Sequence, residues 1–201
     1  MNQSVKIISW NLLHSIGATL EQVETLIRQE KPDLLLMQET TFGVDRLVHR
    51  AKGHYARNPL PGRRHGLAAW SPSPFLEPPQ QLALQPGIFV KRICQLIPLG
   101  DFTVANVHLS HGQIMNRRQL RRIAEFLPPR AAIIGDCNMV GPPLLPGFRD
   151  VGPRDPTHAL ARMLPLRLDR CFVRGLVCVG ADVLARTGSD HHPISLRLLP
   201  A

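Results

Sequence analysis

The sequence predicts a single α+β domain in which layered sheets are covered by a few helices. Short apolar runs of strand length recur along the chain, whereas only two segments show the spacing of an amphipathic helix. The composition agrees, because 44% hydrophobic residues in a chain of 201 residues are enough for one sizeable core. No internal repeat, linker or low-complexity tract divides residues 1–201, so we expect one domain.

The first forty residues predict a strand, a helix and a second strand. Val5 to Leu13 is apolar and β-branched at its start, which indicates a buried strand. Thr19 to Glu30 carries apolar residues at helical spacing. Asp33 to Met37 is a short continuous apolar run, typical of a buried strand, and the polar pair Gln38 and Glu39 follows it. A polar pair at the end of a strand suggests a functional site.

The middle of the chain predicts loops and a hairpin. Residues 57–87 are rich in Pro and Gly, and only Gly66 to Trp70 is predicted as a strand there. Strand patterns resume at Gly87 to Ile97 and at Asp101 to Leu109. Because three residues separate these two segments, we expect them to pair as an antiparallel hairpin.

The last third predicts one more helix and four strands. Asn116 to Leu127 has an apolar stripe opposite several arginines, as in a surface helix. Ala131 to Ile134 predicts a buried strand that leads into Gly135-Asp136-Cys137-Asn138, and a Pro-rich loop runs on to about Pro156. The remaining predicted strands are Leu166 to Val173, Leu176 to Ala185 and Ile194 to Leu198.

Charge and composition restrict the partners. Lys and Arg number 24 against 15 Asp and Glu, and the resulting +9 favours nucleic acid, phosphoinositides or anionic membrane surfaces as partners, although solubility alone would also explain it. No stretch reaches the length of a membrane span and the N-terminus does not look like a leader, so we expect a cytoplasmic protein, most simply a monomer. The four cysteines lack the close spacing of zinc ligands, which predicts reduced core thiols.

Acidic and polar residues recur where the apolar strands end. In chain order they are Asn11 in SWNLL, Glu39 in LLLMQET, Asn106 and His108 in NVHLS, Asp136 and Asn138 in GDCN, Asp169 in RLDRCFV, and Asp190 and His191 in SDHHPI. Each motif alone is weak, but their order and residue types together resemble the endonuclease/exonuclease/phosphatase superfamily from about Lys6 to Leu198. The resemblance implies a four-layer α-β-β-α sandwich of two mixed, mainly antiparallel sheets flanked by helices.

The resemblance also implies a metal-dependent phosphodiesterase or phosphatase. A hard cation such as Mg²⁺, with Mn²⁺ as a substitute, prefers carboxylate and amide oxygens. Glu39 is therefore the leading metal ligand, and Asn11 and Asp190 complete or support the coordination. Because Mg²⁺ keeps several water ligands, either of these two residues can also act through water.

Catalytic roles follow from the same resemblance. Asp136, aided by Asn138, is expected to orient or deprotonate the attacking water. His191 is expected to hydrogen-bond a phosphate oxygen or the attacking water, with Asp169 orienting its ring. His108 is expected to stabilise the transition state or to protonate the leaving oxygen. A carboxylate at a strand end is also often an ion-pair partner, and for Asp169, beside an arginine, that alternative stays open.

Substrate recognition is assigned to Asn106 and to four arginines of the second predicted helix, Arg117, Arg118, Arg121 and Arg122. The arginines share one helix face and are expected either to guide a phosphate backbone or to form a solvated cationic surface. The other histidines considered, His14, His65, His111 and His192, are expected in loops or on the surface, His111 being the leading exception.

A nuclease acting on nucleic acid is the favoured function. The alternatives are a phosphatase or phospholipase-like enzyme that acts on phosphoinositides or other small phosphate esters, and a catalytically silent binding or interaction module. Leu12 and Leu13 follow Asn11 where abasic-site endonucleases carry an acidic residue, which argues against specialised abasic-site cleavage.

Overall fold

The computed structural model of the chain describes residues 4–86, 90–160 and 164–201. Its strands are β1 (Val5–Asn11), β2 (Leu34–Thr40), β3 (His54–Pro59), β4 (Gly66–Ser71), β5 (Gln80–Ala83), β6 (Ile93–Pro98), β7 (Thr103–His108), β8 (Ala131–Asp136), β9 (Arg149–Asp150), β10 (His158–Leu160), β11 (Leu164–Leu166), β12 (Asp169–Arg174), β13 (Leu176–Val183) and β14 (Ile194–Pro200). The helices are α1 (Leu20–Glu30), α2 (Leu47–Arg50) and α3 (Gln113–Phe126), with 3₁₀ turns at Leu13–Ser15 and Phe42–Arg46.

The strands form two mixed sheets of six strands each. The first sheet has the order β13-β14-β1-β2-β4-β3, and the second has the order β5-β6-β7-β8-β12-β9. One pair in each sheet is parallel, β1 with β2 and β7 with β8, and the other pairs are antiparallel. Strands β10 and β11 form a separate hairpin. The predicted mixed, mainly antiparallel sheets are confirmed.

Three apolar clusters show that the two sheets are packed face to face with a helix outside each. Because successive strand residues point to opposite faces, Ile7 packs between the sheets whereas Ile8 packs on the outer face of the first sheet. Val23 of α1 belongs to that outer cluster. Leu120 and Ile123 of α3 cover the outer face of the second sheet. The chain is thus an α-β-β-α sandwich, as predicted.

Both predicted helices are present, with shifted boundaries. Thr19 caps α1 through a capping box with Gln22, which is why the helix begins one residue after the predicted start. Lys31 ends α1 in the left-handed conformation. Helix α3 begins at Gln113, three residues before the predicted Asn116. The side chain of Gln113 donates a hydrogen bond to the backbone carbonyl of Asn138, so a tertiary contact anchors this first turn.

The strand predictions were mostly right, and most errors lie at sheet edges. Two do not: the β10–β11 hairpin was not predicted, and the strand predicted from Leu166 to Val173 begins at Asp169 as β12. The hairpin of β6 and β7 is confirmed, but β6 begins at Ile93, and residues 87–89 of the predicted strand lie outside the described residues. Strands β3 and β5 were missed among the prolines and glycines, because each lies at the edge of a sheet and buries little apolar surface. The short β9 was missed for the same reason.

All four cysteines are free, as predicted, and three of them are fully buried. Among the residues that the structure describes, we find no helix with the length and apolar content that a membrane crossing requires.

Candidate active site

Strand register brings three of the predicted residues together in the second sheet. Asp136, the last residue of β8, lies opposite His108 in the parallel pair with β7 and opposite Asp169 in the antiparallel pair with β12. The carboxyl ends of parallel strands lie at the same edge of a sheet, so His108 and Asp136 emerge side by side. The order β7-β8-β12 therefore builds half of a polar site at one end of the sandwich.

The first sheet supplies the other half at the same end. Asn11 ends β1, which pairs in parallel with β2, and Glu39 lies near the end of β2. The pairing of β2 with β4 is irregular between Met37 and Thr40, and Glu39 has a left-handed φ of 56° there. A bulge of this kind redirects a side chain that a regular strand would point elsewhere.

Asp136 is the centre of the site. Its Oδ2 accepts a hydrogen bond of 3.0 Å from Nδ2 of Asn11. The same oxygen lies 3.4 Å from Nε2 of His108 and 3.7 Å from Nε2 of His191. Its Oδ1 accepts a hydrogen bond from the backbone N–H of Asn138, at 2.9 Å. Three side chains and one backbone N–H group, from both sheets and from the loops, thus converge on one buried carboxylate.

Asn138 shapes the loop that follows Asp136. Its φ is 46°, in the left-handed region that asparagine tolerates better than most residues, and its side chain donates to the carbonyl of Leu109 at 2.9 Å. Gly135 precedes Asp136 with a φ of 143°, and a side chain there would collide with the carbonyl of Val107. The GDCN segment therefore needs both residue types for its backbone path.

His191 is held from three directions. Its Nδ1 lies 2.8 Å from Oδ2 of Asp169, which is fully buried. Its backbone N–H donates to the hydroxyl of Ser189 at 3.1 Å, and its carbonyl accepts a hydrogen bond from the indole of Trp10 at 3.1 Å. Ser189 in turn donates to the carbonyl of Asn11, at 2.6 Å. The ring is oriented so that Nε2 faces Asp136.

These side chains line a single pocket of about 390 Å³. Its lining residues are Asn11, Leu13, Glu39, His108, His111, Gln113, Asp136, Asn138, Val140, His158, Leu166, Leu168, Asp190 and His191. All three predicted metal ligands therefore line this pocket. All predicted catalytic residues line it too, except Asp169, which lies behind His191. A pocket of this size admits a phosphate group with part of its ester substituents.

The two site histidines have opposite protonation tendencies. Burial and the positive charge of Arg92 hold the pKa of His108 well below its usual range, so its ring is neutral at pH 7. Burial also disfavours protonation of His191, but the carboxylates of Asp169 and Asp136 outweigh it and raise its pKa to about 10. The pocket thus holds one neutral imidazole and one imidazolium.

Glu39 lies between two histidines. Its Oε1 is 3.7 Å from Nδ1 of His108, and its Oε2 is 3.0 Å from Nε2 of His14. The second contact is not aligned as a hydrogen bond, and this buried oxygen has no hydrogen-bond partner among the described residues. Burial is the main reason why the pKa of Glu39 is raised, and the negative charge of Asp136 adds to it.

The donor set fits a divalent cation. The pocket concentrates the carboxylates of Glu39, Asp136 and Asp190, and Asp169 lies directly behind it. Buried like charges are unfavourable unless a cation compensates them. The unpartnered oxygen of Glu39 and the oxygen-rich lining meet the preference of Mg²⁺ or Mn²⁺. Glu39, Asn11 and Asp190 are the residues that would hold the ion.

Asn106 does not fit the role in substrate binding predicted for it. Its side chain is fully buried between the sheets, where its Nδ2 donates to the carbonyl of Ala68 and to Oε1 of Gln95, both at 3.1 Å. Its Oδ1 accepts from Gln38 at 2.8 Å. Gln38, predicted as part of a site, also donates to the hydroxyl of Ser9 at 3.0 Å. These residues form a polar network that joins the two sheets beneath the pocket.

The four arginines of α3 lie outside the pocket and differ from one another. Arg117 donates to the backbone carbonyls of Val140 and Pro142 and so fastens the loop after Asn138. Arg122 pairs with Glu125 at 3.1 Å. Arg118 and Arg121 are exposed and line two adjoining grooves of about 610 and 440 Å³. Arg118 and Arg121 are thus more available to a ligand than Arg117 and Arg122, which are engaged by other groups of the chain.

Three residues near the site were not predicted. His14 was expected at the surface but contacts Glu39, and its ring lies 4.2 Å from that of His65. Arg92 is only 6% exposed and interacts electrostatically with Glu39, Asp136 and His108. His158 lines the pocket and lies 3.3 Å from Asp190. None of them ends a long apolar strand, so the pattern used for the other residues could not find them.

Comparisons with known proteins agree with this geometry. Residues 8–191 match the sequence model of the Endonuclease/Exonuclease/phosphatase family. No curated protein matches the sequence. The fold is similar to an endonuclease/exonuclease/phosphatase from Bacteroides vulgatus (TM-score 0.80, 15% identity, covering 98% of this chain and 99% of the other).

Two further solved structures are similar. One is D. rerio TDP2 complexed with a single-strand DNA product (TM-score 0.80, 16% identity, 98% of this chain and 99% of the other). The second is an endonuclease/exonuclease/phosphatase from Beutenbergia cavernae DSM 12333 (TM-score 0.74, 16% identity, 98% and 72%). At these identities the structures show a shared fold, whereas the sequence match covers nearly the whole chain. The protein belongs to the endonuclease/exonuclease/phosphatase family.

Proposed function

We propose that this chain is a metal-dependent phosphodiesterase that hydrolyses nucleic acid, acting as a cytoplasmic monomer with Mg²⁺, or Mn²⁺ in its place. One observation carries the proposal: Asp136 is surrounded within 3.7 Å by Asn11, His108 and His191 in a pocket that also contains Glu39 and Asp190. The family supports phosphoesterase chemistry in general. The metal, the reaction and the substrate are the parts that we propose.

The metal would be held by Glu39, with Asn11 and Asp190 supporting it. A bound divalent ion supplies Lewis-acid polarisation of the phosphoryl oxygens and neutralises developing charge. In the described structure Asn11 donates to Asp136 through Nδ2, while its Oδ1 accepts from the backbone N–H of Leu13 at 3.0 Å. Asn11 therefore orients Asp136 directly, in addition to the supporting role that we propose for it at the metal.

Asp136 is the group that orients the attacking water and accepts its proton. One of its oxygens is occupied by the backbone N–H of Asn138, and the other faces the pocket. This arrangement restricts the carboxylate to one orientation, which favours attack from one direction. The side chain of Asn138 is committed to the carbonyl of Leu109, so Asn138 acts by shaping the loop rather than by touching substrate.

The histidines bind the phosphate. Cationic His191, oriented by Asp169, donates from Nε2 to a phosphoryl oxygen. Neutral His108 is a poor proton donor, so among its two predicted roles the geometry favours hydrogen bonding in the transition state over protonation of the leaving oxygen. Both side chains are almost fully buried, which strengthens their electrostatic effect.

An extended polyanion is the favoured substrate because a basic surface continues from the pocket. Gln113 lines the pocket at the first turn of α3, and Arg118 and Arg121 line the grooves along the same helix. Phosphates that flank the reacting one would lie within reach of these guanidinium groups. The related D. rerio TDP2 was solved with a single-strand DNA product, which supports the same substrate class for this chain.

A phosphoinositide or another phospholipid headgroup is the second candidate. The observation in its favour is that Ile114 and Val140 are exposed at the pocket and groove rims and that Leu144 is exposed in the loop that follows. Exposed aliphatic side chains next to arginines suit the interface of an anionic membrane.

The test is a substrate panel with purified protein. Single- and double-stranded oligonucleotides, phosphoinositide vesicles and bis-p-nitrophenyl phosphate would be incubated with Mg²⁺, with Mn²⁺ and with a chelator. We expect metal-dependent cleavage of oligonucleotides, abolished in Asp136→Asn. Cleavage of vesicle lipid alone would favour the second candidate. Hydrolysis of no substrate, by a protein that still binds oligonucleotides, would indicate a silent binding module.

A further inference from the structure

Four fully buried polar residues separate the apolar core between the sheets from the pocket. We call Ser9, Gln38, Gln95 and Asn106 the interlayer network. They come from β1, β2, β6 and β7, so each sheet contributes two of them. Because side chains two residues apart in a strand share a face, β7 places Val104 in the core, Asn106 in the network and His108 in the pocket. Strand β1 has the same order, and it ends at Asn11.

The hydrogen bonds of the network fix the amide of Asn106. Its Oδ1 accepts from Nε2 of Gln38 at 2.8 Å. Its Nδ2 donates to Oε1 of Gln95 and to the carbonyl of Ala68, both at 3.1 Å. The carbonyl of Met37 is a further acceptor, 3.4 Å from the same nitrogen. Since these three oxygens can only accept, they determine which end of the amide faces them.

Two of these acceptors belong to the backbone of the opposite sheet, at the place where β2 bulges. Met37 and Ala68 are the last regular pair between β2 and β4 before the pairing becomes irregular. Beyond them, two residues of β2 face a single residue of β4. Glu39 is one of the two, and its φ of 56° departs from the extended conformation of a strand. The amide of Asn106 therefore holds the backbone at the start of this bulge.

The bulge is what brings Glu39 to the pocket. Met37 packs in the outer apolar cluster beside α1, whereas Gln38 faces the other sheet. In a regular strand, Glu39 would share the outward face of Met37 and would point into that apolar cluster. The irregular backbone directs it to the pocket instead, where its Oε1 lies 3.7 Å from Nδ1 of His108. The position of this carboxylate thus depends on a backbone that departs from the ladder.

We propose that Asn106 is a positioning residue, which fastens the β2 bulge from the opposite sheet and so sets where Glu39 points. His108 follows Asn106 by two residues on the same face of β7, so one strand carries both the fastening amide and a pocket imidazole. The two halves of the pocket come from different sheets, and this amide fixes one half to the other. An apolar side chain would fill the space between the sheets but would lose the hydrogen bonds to the bulge.

The consequence for metal binding rests on the proposed function, in which Glu39 is the leading ligand of the cation. The fastening of the bulge itself does not rest on it. A ligand that is not held in place costs affinity, because binding must then also order the ligand. Metal affinity therefore reports the position of Glu39, and exchange of backbone amides reports the bulge without any metal.

The first test is the affinity for Mn²⁺ in Asn106→Leu, measured by electron paramagnetic resonance of the free ion during titration. The leucine keeps the branched shape without the hydrogen-bonding groups. We expect a loss of about 10- to 100-fold, the usual effect of removing a group that orients a metal ligand. The matched control is Gln95→Leu, which is equally buried but donates to Ala56 and Asn58 of edge strand β3. The control should keep the wild-type affinity although it loses stability.

The second test is hydrogen exchange of backbone amides in the metal-free protein. Asn106→Leu should speed exchange at the bulge, in residues 37–40 and 66–68, whereas Gln95→Leu should speed it in β3. Asn106→Thr, whose hydroxyl can restore one donor, should give intermediate effects in both tests, and it serves if the leucine variant does not fold.

Unchanged exchange at the bulge in a folded Asn106 variant would overturn the proposal. Unchanged Mn²⁺ affinity in that variant, or an equal loss of affinity in Gln95→Leu, would overturn it too, since the amide would then be only structural. Wild-type Mn²⁺ affinity in Glu39→Gln would instead contradict the proposed metal site, and the exchange result alone would then decide whether Asn106 fastens the bulge.

Discussion

His191 and Asp169, 22 residues apart in the chain, form a buried pair in which Nδ1 of the ring lies 2.8 Å from Oδ2 of the carboxylate. The register of β12 against β8 places Asp169 directly opposite Asp136, so the ring of His191 has a carboxylate at each nitrogen. Asp169 orients the ring, and Asp136 lines the same pocket as His191. Because the two carboxylates raise the pKa of His191 to about 10, the ring favours the imidazolium form, and its Nε2 faces Asp136 in the pocket.

Asp169→Asn should separate orientation from charge at His191. The variant removes a negative charge behind the ring, so the pKa of His191, about 10 in the native site, should fall toward its usual value. Turnover should fall by about 10²- to 10⁴-fold at neutral pH. An NMR titration of the metal-free protein and steady-state kinetics check the two effects. Asp182→Asn, on the exposed part of β13, is the control, and an unchanged titration with unchanged turnover would refute the pairing role.

Glu39→Gln should abolish most turnover and raise the Mg²⁺ concentration needed for what remains. The amide keeps the shape of the side chain, so the folded structure and the thermal midpoint should change little. Activity measured from limiting to saturating Mg²⁺, with Glu125→Gln on the exposed face of α3 as control, checks this. Wild-type activity at limiting Mg²⁺ would remove Glu39 from the metal site.

His108→Ala should lose activity on every substrate to a similar degree. The low pKa of His108 favours a neutral ring, so under the proposed function it would stabilise the phosphate by hydrogen bonding, and the effect of its loss would not depend on the leaving group. Rates with bis-p-nitrophenyl phosphate and with an unactivated dinucleotide check this. If the p-nitrophenolate leaving group rescued the variant selectively, His108 would instead be the acid that protonates the leaving oxygen.

Arg118→Ala combined with Arg121→Ala should weaken binding of oligonucleotides and flatten its salt dependence. Each lost phosphate contact lowers the slope of log affinity against log salt by about 0.7 to 0.9. Binding to Asp136→Asn in Ca²⁺ over a range of salt gives the slope without cleavage. Arg28→Ala with Lys52→Ala, which removes two cations beside α1 on the opposite layer, is the matched control. A slope equal to that of the control would exclude this face of α3 from recognition.

Asp150→Ala should destabilise the fold by about 3 kcal/mol, because it leaves two arginines without their shared carboxylate. Arg167 binds Asp150 with both terminal nitrogens, at 2.7 and 2.6 Å, and Arg170 binds it at 2.9 Å. Burial raises the pKa of Asp150, but the two arginines outweigh this and leave it below its usual value. Urea unfolding measures the loss, with the exposed Asp155→Ala as control.

The pH dependence of this stabilisation has a defined sign. Because the folded-state pKa is lowered, the contribution is complete above the unfolded value of about 3.8 and is lost as the pH falls through the lower folded value. The difference in stability between wild type and Asp150→Ala should therefore shrink below pH 3.8. A stability difference that stayed constant below pH 3.8 would contradict the role of Asp150 as the shared partner of the two arginines.

Much of the sandwich could be predicted from the sequence because its central strands are short, continuous and apolar. β1, β2 and β8 are buried on both faces, so their composition alone distinguishes them from loops. Edge strands such as β3 contain no fully buried residue and resemble the loops around them. The pairing of an edge strand is determined by the neighbouring strand, and the local sequence pattern carries no information about that neighbour.

The sequence alone determined which residue types end the central strands, and with them the family and the roles predicted for Glu39, Asp136 and His191. Only the tertiary structure decided that a bulge redirects Glu39, that Asn106 is buried between the sheets, and that His14, Arg92 and His158 lie at the pocket. The physical reason is that local hydrophobic patterns encode burial along one strand, whereas contacts between residues far apart in the chain depend on how two twisted sheets pack together.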